Sequence, residues 1–158
     1  MHILALWLVL ILVLPSNART RVRRSAPEEM AGLFEGDIVI SEKEKELLED
    51  GKASAGIIGS HFRWPQATVP YTISNDFSRS DVQTMQAAMS EISAKTCIRF
   101  KPHGGERHSI FIQDGYGCSS EVGRREPMQE VTLSRGGCIT KGTVIHELVH
   151  AIGFWHEQ

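Results

Sequence analysis

His146, Glu147, His150, Gly153 and His156 stand in the order H-E-x-x-H-x-x-G-x-x-H, three imidazoles and one carboxylate on a short stretch of chain. Helical residues four apart share a face, so His146 and His150 point at one ion. A third imidazole six residues after His150 cannot converge if the helix continues. Gly153 lets the chain leave through a left-handed turn without steric cost and bring back His156. Zinc suits this donor set, because it accepts neutral imidazole nitrogen and keeps an open position when three protein groups hold it. One zinc per subunit is expected. A water at the open position has its pKa lowered to about 7, and Glu147 takes its proton and passes it to a leaving amine. The chemistry so implied is peptide-bond hydrolysis. Five fixed positions are far more specific than the bare H-E-x-x-H, whose bland alternative is a core helix carrying solvated histidines.

The elements that must position this site follow from periodicity. Residues 69–73 read as a strand after Pro65, and 81–95 as a helix capped by Ser80, with Val82, Met85, Met89 and Ile92 recurring at helical spacing. Short strands are expected at 97–100, 109–113 and 131–133. With the signature helix, this is an α/β arrangement, a twisted mixed sheet with two long helices. Met85 and Met89 belong to its core. His61, His103 and His108 have no ligand spacing and are expected on the surface.

The run Thr143-Val144-Ile145-His146-Glu147-Leu148-Val149-His150-Ala151-Ile152-Gly153-Phe154-Trp155-His156-Glu157-Gln158 resembles the zinc signature of the astacin family of metalloendopeptidases, in the metzincin group. Upstream, Arg63-Trp64, the stretch Val69-Pro70-Tyr71-Thr72-Ile73, the stretch Thr96-Cys97-Ile98-Arg99-Phe100, and Gly117-Cys118-Ser119-Ser120 followed by Val122-Gly123-Arg124 are similar to the family's successive blocks. The likeness covers about two thirds of the chain. It implies the family's amino-terminal, zincin-like subdomain, with the lower subdomain missing after Gln158. The chain is therefore expected to be the amino-terminal part of a longer enzyme. The resemblance also implies a disulfide between Cys118 and Cys138, and a partner for Cys97 in missing downstream sequence; the alternative for Cys97 is a buried free thiol. Substrate, as protein or peptide, is implied to pair with an edge strand at Cys118, Ser119 and Ser120 by β-augmentation.

Composition bounds the rest. At 158 residues, 41% hydrophobic, with a net charge of -2, the chain fits one globular domain plus appendages, and nothing in it suggests a nucleic-acid surface. Residues 3–14 are almost wholly apolar and are followed by Pro15-Ser16-Asn17-Ala18, so 1–18 read as a secretory signal peptide. No membrane association is expected once it is removed; a retained anchor is the alternative. A secreted, extracellular product makes the cysteines structural.

Residues 19–54 are charged and read as a propeptide, and 55–158 as the incomplete peptidase part. Arg21-Val22-Arg23-Arg24 has the look of a basic processing site or a solvated basic patch. Ser41-Glu42-Lys43-Glu44 fits a capping box opening a short helix through Leu47 and Leu48. Phe34-Glu35-Gly36-Asp37 resembles the family's propeptide motif, which implies that Asp37 takes the open zinc position and keeps the zymogen silent; the bland alternative is a turn aspartate. The family also implies a mature start near Ala55, reached by Glu157 as a structural latch. Two function classes follow: a secreted zinc endopeptidase latched by Asp37, and an inactive zinc-binding fragment or decoy.

Overall fold

The computed structural model describes residues 33–41, 44–45, 55–125 and 127–156. The expected signal peptide, the basic stretch at 21–24, the helix through Leu47 and Leu48, and Glu157 lie outside the described residues. Among the described residues, six strands run in chain order as β1 (Ile38–Val39), β2 (Thr68–Ile73), β3 (Arg99–Pro102), β4 (Ser109–Gln113), β5 (Cys118–Glu121) and β6 (Met128–Leu133). Two helices, α1 (Arg79–Lys95) and α2 (Lys141–Ala151), accompany them.

The strands form one sheet in the order β1-β5-β6-β4-β2-β3. All neighbours are parallel except β5 and β6, whose antiparallel register sets Cys118 opposite Leu133 and Ser120 opposite Val131. The expected α/β class, a mixed sheet with two long helices, is the architecture found. Crossover connections explain the parallel pairs: α1 carries the chain from β2 to its neighbour β3.

The core lies where the two helices meet the sheet. Met85, Ala88, Met89 and Ile92 of α1 pack with Ile110, Ile112, Val131 and Leu133 of the sheet and with Val144 and Leu148 of α2. Each such fully buried aliphatic side chain contributes about 1.5–3 kcal/mol relative to exposure. Both expected methionines are core residues, at 0% and 4% exposure. The disulfide Cys118–Cys138 ties β5 to the loop before α2, with Cα atoms 5.8 Å apart. Trp64, buried between these layers, donates from its indole Nε1 to the Ala151 carbonyl at 2.8 Å and so occupies one of the open acceptors at the end of α2.

Boundaries differ from expectation for local reasons. Helix α1 is capped by Ser78 and not Ser80: the Ser78 hydroxyl accepts from the Asp81 amide at 3.3 Å, while the Asp81 carboxylate accepts from the Ser78 amide at 2.9 Å. That reciprocal pair starts the helix earlier. Strand β3 begins at Arg99 and not at 97, because the Thr96 hydroxyl donates to the Ile92 carbonyl at 2.7 Å and accepts from the Ile98 amide at 3.1 Å, holding a turn there. Strand β6 starts at Met128, where Gln129, a polar residue in a buried position, hides the alternation. Cys97 is exposed, so the buried-thiol alternative does not hold.

Candidate metal centre

Helix α2 starts at Thr140, whose hydroxyl accepts from the Thr143 amide at 3.1 Å. His146 and His150 then fall on one face, with His150 almost fully buried. The helix ends at Ile152, and Gly153 takes φ +118, a conformation costly for any side chain. A methyl group there would also stand 3.2 Å from Ile57. The turn is pinned by the amides of Ile57 and Trp155, which donate to the carbonyls of Gly153 and Ala55 at 2.8 Å each. It delivers His156 to the other two imidazoles.

The three Nε2 atoms form a near-equilateral triangle, with separations of 3.1, 3.1 and 3.2 Å. Ligands about 2.0–2.1 Å from a tetrahedral zinc stand about 3.3–3.4 Å apart, so the triangle has the size that this ion requires. Three imidazole nitrogens aimed at one point cannot all donate to one another, and a cation is what satisfies them. The fourth corner is a carboxylate. Asp37 places Oδ2 2.7 Å from His146 Nε2, and Oδ1 3.2 Å from His156 Nε2 and 3.9 Å from His150 Nε2. Ligand atoms of Asp37, His146, His150 and His156 all lie within 4.8 Å of one another. The donor set, three imidazoles and a carboxylate, fits zinc.

Outer partners orient two of the rings. His150 Nδ1 lies 2.7 Å from the Phe154 carbonyl, and His156 Nδ1 lies 2.9 Å from the Glu35 carboxylate. Ring N–H groups held this way leave Nε2 for a metal. Burial pushes His150 below the ordinary imidazole value, opposed by the Phe154 carbonyl and Asp37 and aided by the two neighbouring imidazoles. A neutral ring is the form that ligates. Glu147, one residue after His146, is wholly buried.

Asp37 arrives on a tight turn. The Gly36 amide donates to the Leu33 carbonyl at 3.0 Å, and the Ile38 amide to the Phe34 carbonyl at 3.0 Å. Glu35 sits at φ +50 and Gly36 at φ +107, so both carboxylates of the turn are presented to the histidines. The chain then enters the sheet as β1, with Ile38 opposite Ser120 and Val39 opposite Glu121. The expected substrate strand at Cys118, Ser119 and Ser120 is therefore not an open edge here; its outer side is taken by β1.

Other expected residues fall elsewhere. Ala55 is exposed and accepts from the Trp155 amide, while its expected partner Glu157 lies outside the described residues. His61 and His103 are exposed, His108 is half-buried, and none joins the cluster. Sequence reasoning missed Glu35, although its spacing two residues from Asp37 across a glycine was the available signal.

A mixed sheet, a histidine-bearing helix and a return turn together build one site with three imidazoles and a carboxylate. The chain belongs to the astacin family: a profile described as Astacin, a peptidase family, matches residues 57–158. It is 46% identical over 90 residues to High choriolytic enzyme 2 of Oryzias latipes, covering 57% of this chain and 32% of that protein. To Meprin A subunit beta of Homo sapiens it is 39% identical over 127 residues, covering 80% of this chain and 17% of that one. The solved structure of High choriolytic enzyme 1 (HCE-1), a hatching enzyme zinc-protease from Oryzias latipes, is similar with a TM-score of 0.60 at 37% identity, over 65% of this chain and 55% of that chain. The chain spans about half or less of the length of these curated relatives.

Proposed function

We propose that this chain carries the zinc site of a secreted endopeptidase made in latent form, with Asp37 as the inhibitory ligand. The observation that carries the reading is the convergence of Asp37, His146, His150 and His156 within 4.8 Å. The three imidazoles of His146, His150 and His156 would hold one zinc. When bound, it supplies a Lewis acid and a water that loses its proton near neutral pH. Glu147, buried and next in sequence to His146, would take the proton of that water and return it to the departing amine of a cleaved peptide bond.

Latency follows from two blocks. The Asp37 carboxylate stands at the fourth corner, where the attacking water belongs. Strand β1 pairs with Ser120 and Glu121 and so takes the outer side of the strand that an extended substrate would use. Removal of a segment ending before about Ala55 frees both. A signal peptide at 1–18 and a propeptide at 19–54 complete this reading, with protein or peptide substrates as the partners.

The full-length protein, refolded with zinc, tests it. Asp37→Ala is expected to raise casein hydrolysis by the uncleaved protein at least about tenfold over the parent, with one zinc per chain by metal analysis. Absence of stoichiometric zinc would sink the reading. Zinc retained with no hydrolysis by any form would favour the binding-fragment function instead.

A further inference from the structure

Two adjacent arginines in the loop between β5 and β6 are used in opposite ways. Arg124 is spent on the fold: its Nε donates to the Arg63 carbonyl at 3.0 Å and its Nη2 to the His61 carbonyl. Arg125 pairs instead through Nη2 with Glu44, a residue of the segment that carries Asp37. Its guanidinium lies over the Phe62 ring at 4.6 Å, and its Nε is buried without a hydrogen-bond partner among the described residues.

The position is prebuilt. The Arg125 amide donates to the Gln129 side-chain oxygen at 2.7 Å, and Gln129, buried, donates onward to the Gly123 carbonyl at 2.8 Å. The loop is thereby fixed from both ends, and the guanidinium is held on an aromatic face. Side chains of Arg125 and Glu44 are only 17% and 18% exposed. Burial raises the Glu44 carboxyl, but hydrogen bonds from Ser41 and the charge of Arg125 outweigh it, so it lies below the ordinary carboxylate value. Glu121, the acid at the end of β5, is raised by burial, and the charge of Arg125 opposes that rise.

We propose that Arg125 is a specificity-determining residue that binds an acidic side chain of the substrate, and that Glu44 fills this place in the latent form. The inference rests on the latent-peptidase reading, because it requires the segment bearing Glu44 to depart. Once it has gone, a partly buried guanidinium is left beside the Glu121 end of the substrate ladder with a donor edge to spare. A carboxylate on the Nε and Nη2 edge would form the bidentate pair that Glu44 makes only in part. An extended peptide in the place of β1 passes the same loop, so an acidic residue displaced from the scissile bond toward that end meets Arg125.

The test uses activated full-length enzyme and peptide pairs identical except for Glu or Gln, scanned outward on both sides of the scissile bond. At one position Glu is expected to be preferred in kcat/KM by about tenfold, the scale of a well-placed charge-assisted pair. The ratio falls toward one in Arg125→Ala, and Arg125→Glu shifts the preference to Lys. A synthetic peptide of residues 33–45 provides a measure that needs no enzyme variant: its Glu44→Gln form is expected to inhibit the wild-type enzyme about tenfold less well. A Glu preference absent at every position, or one that survives in Arg125→Glu, overturns the assignment. Cleavage of neither peptide of any pair would defeat the peptidase reading itself, an outcome distinct from cleavage without preference.

Discussion

Residues 33–45 and residues 55–156 are held by different physics. The larger region is closed by burial: Met85, Ile110, Ile112, Val131, Leu133, Val144 and Leu148 are all at 0% exposure and form one cluster. From the smaller region only Asp37 and Ile38 are buried among the described residues. Its other attachments are polar and few, among them two ladder pairs with β5, Glu35 on His156 and Glu44 on Arg125. On the proposed reading, a scaffold closed by its own apolar core would survive loss of the segment, and a segment attached at a few polar points would leave once the chain is cut. Latency and stability would then rest on separate contacts.

The largest expected effect comes from the site that both regions share. Glu147→Gln in activated full-length enzyme is expected to lower kcat/KM by about 10²–10⁴-fold with zinc content unchanged, as for loss of a general base. A drop below about threefold would remove Glu147 from the mechanism. Next is a paired test of the contrast itself. Leu148 and Ile38 are both fully buried aliphatics, one on each side of the divide. Leu148→Ala is expected to cost about 2–5 kcal/mol in denaturant unfolding of the uncleaved form. Ile38→Ala is expected to raise the activity of the uncleaved form and to lower that form's unfolding midpoint less than Leu148→Ala does, because Ile38 lies outside the main core cluster. Equal midpoint losses in the two uncleaved variants would erase the distinction.

The smallest effect lies within the scaffold. Glu91 joins the two helices through Lys141 at 2.7 Å and Lys95 at 2.8 Å, and these lysines, Lys141 first, hold its carboxyl at about 2 against an ordinary 4.5. Its folded pKa is depressed, so its stabilisation is fully present above 4.5 and fades as pH falls toward about 2. Glu91→Gln should therefore lower the thermal midpoint slightly at about pH 7 and not at about pH 2, because water screens this partly exposed pair. A difference that persists in acid would assign the effect to something other than charge.

Much of the site was legible because its spacing is set by helix geometry. His146 and His150 had to share a face, and Gly153 had to turn the chain, whatever the remainder of the fold did. The helix α1 and its buried methionines were equally visible in a clear period. Less visible were features that depend on a partner distant in sequence or on a competing neighbour. Ser78 outcompeted Ser80 as a cap only because Asp81 reached back to it, and Gln129 concealed the start of β6 because its polar side chain is satisfied by Gly123 and the Arg125 amide.

By itself, the sequence determined the donor types, their order along one helix and turn, and the alternation that builds strands and helices, since these follow from local periodicity and residue chemistry. Tertiary structure decided that Glu35 joins Asp37 at the imidazoles, where β1 enters the sheet, and which of two neighbouring arginines faces the segment. Those choices depend on contacts between groups far apart along the chain, such as Glu35 with His156 and Glu44 with Arg125, and the separation of 121 residues in the first pair has no local signature. Only packing of the sheet against α2 fixes the distance at which such groups meet.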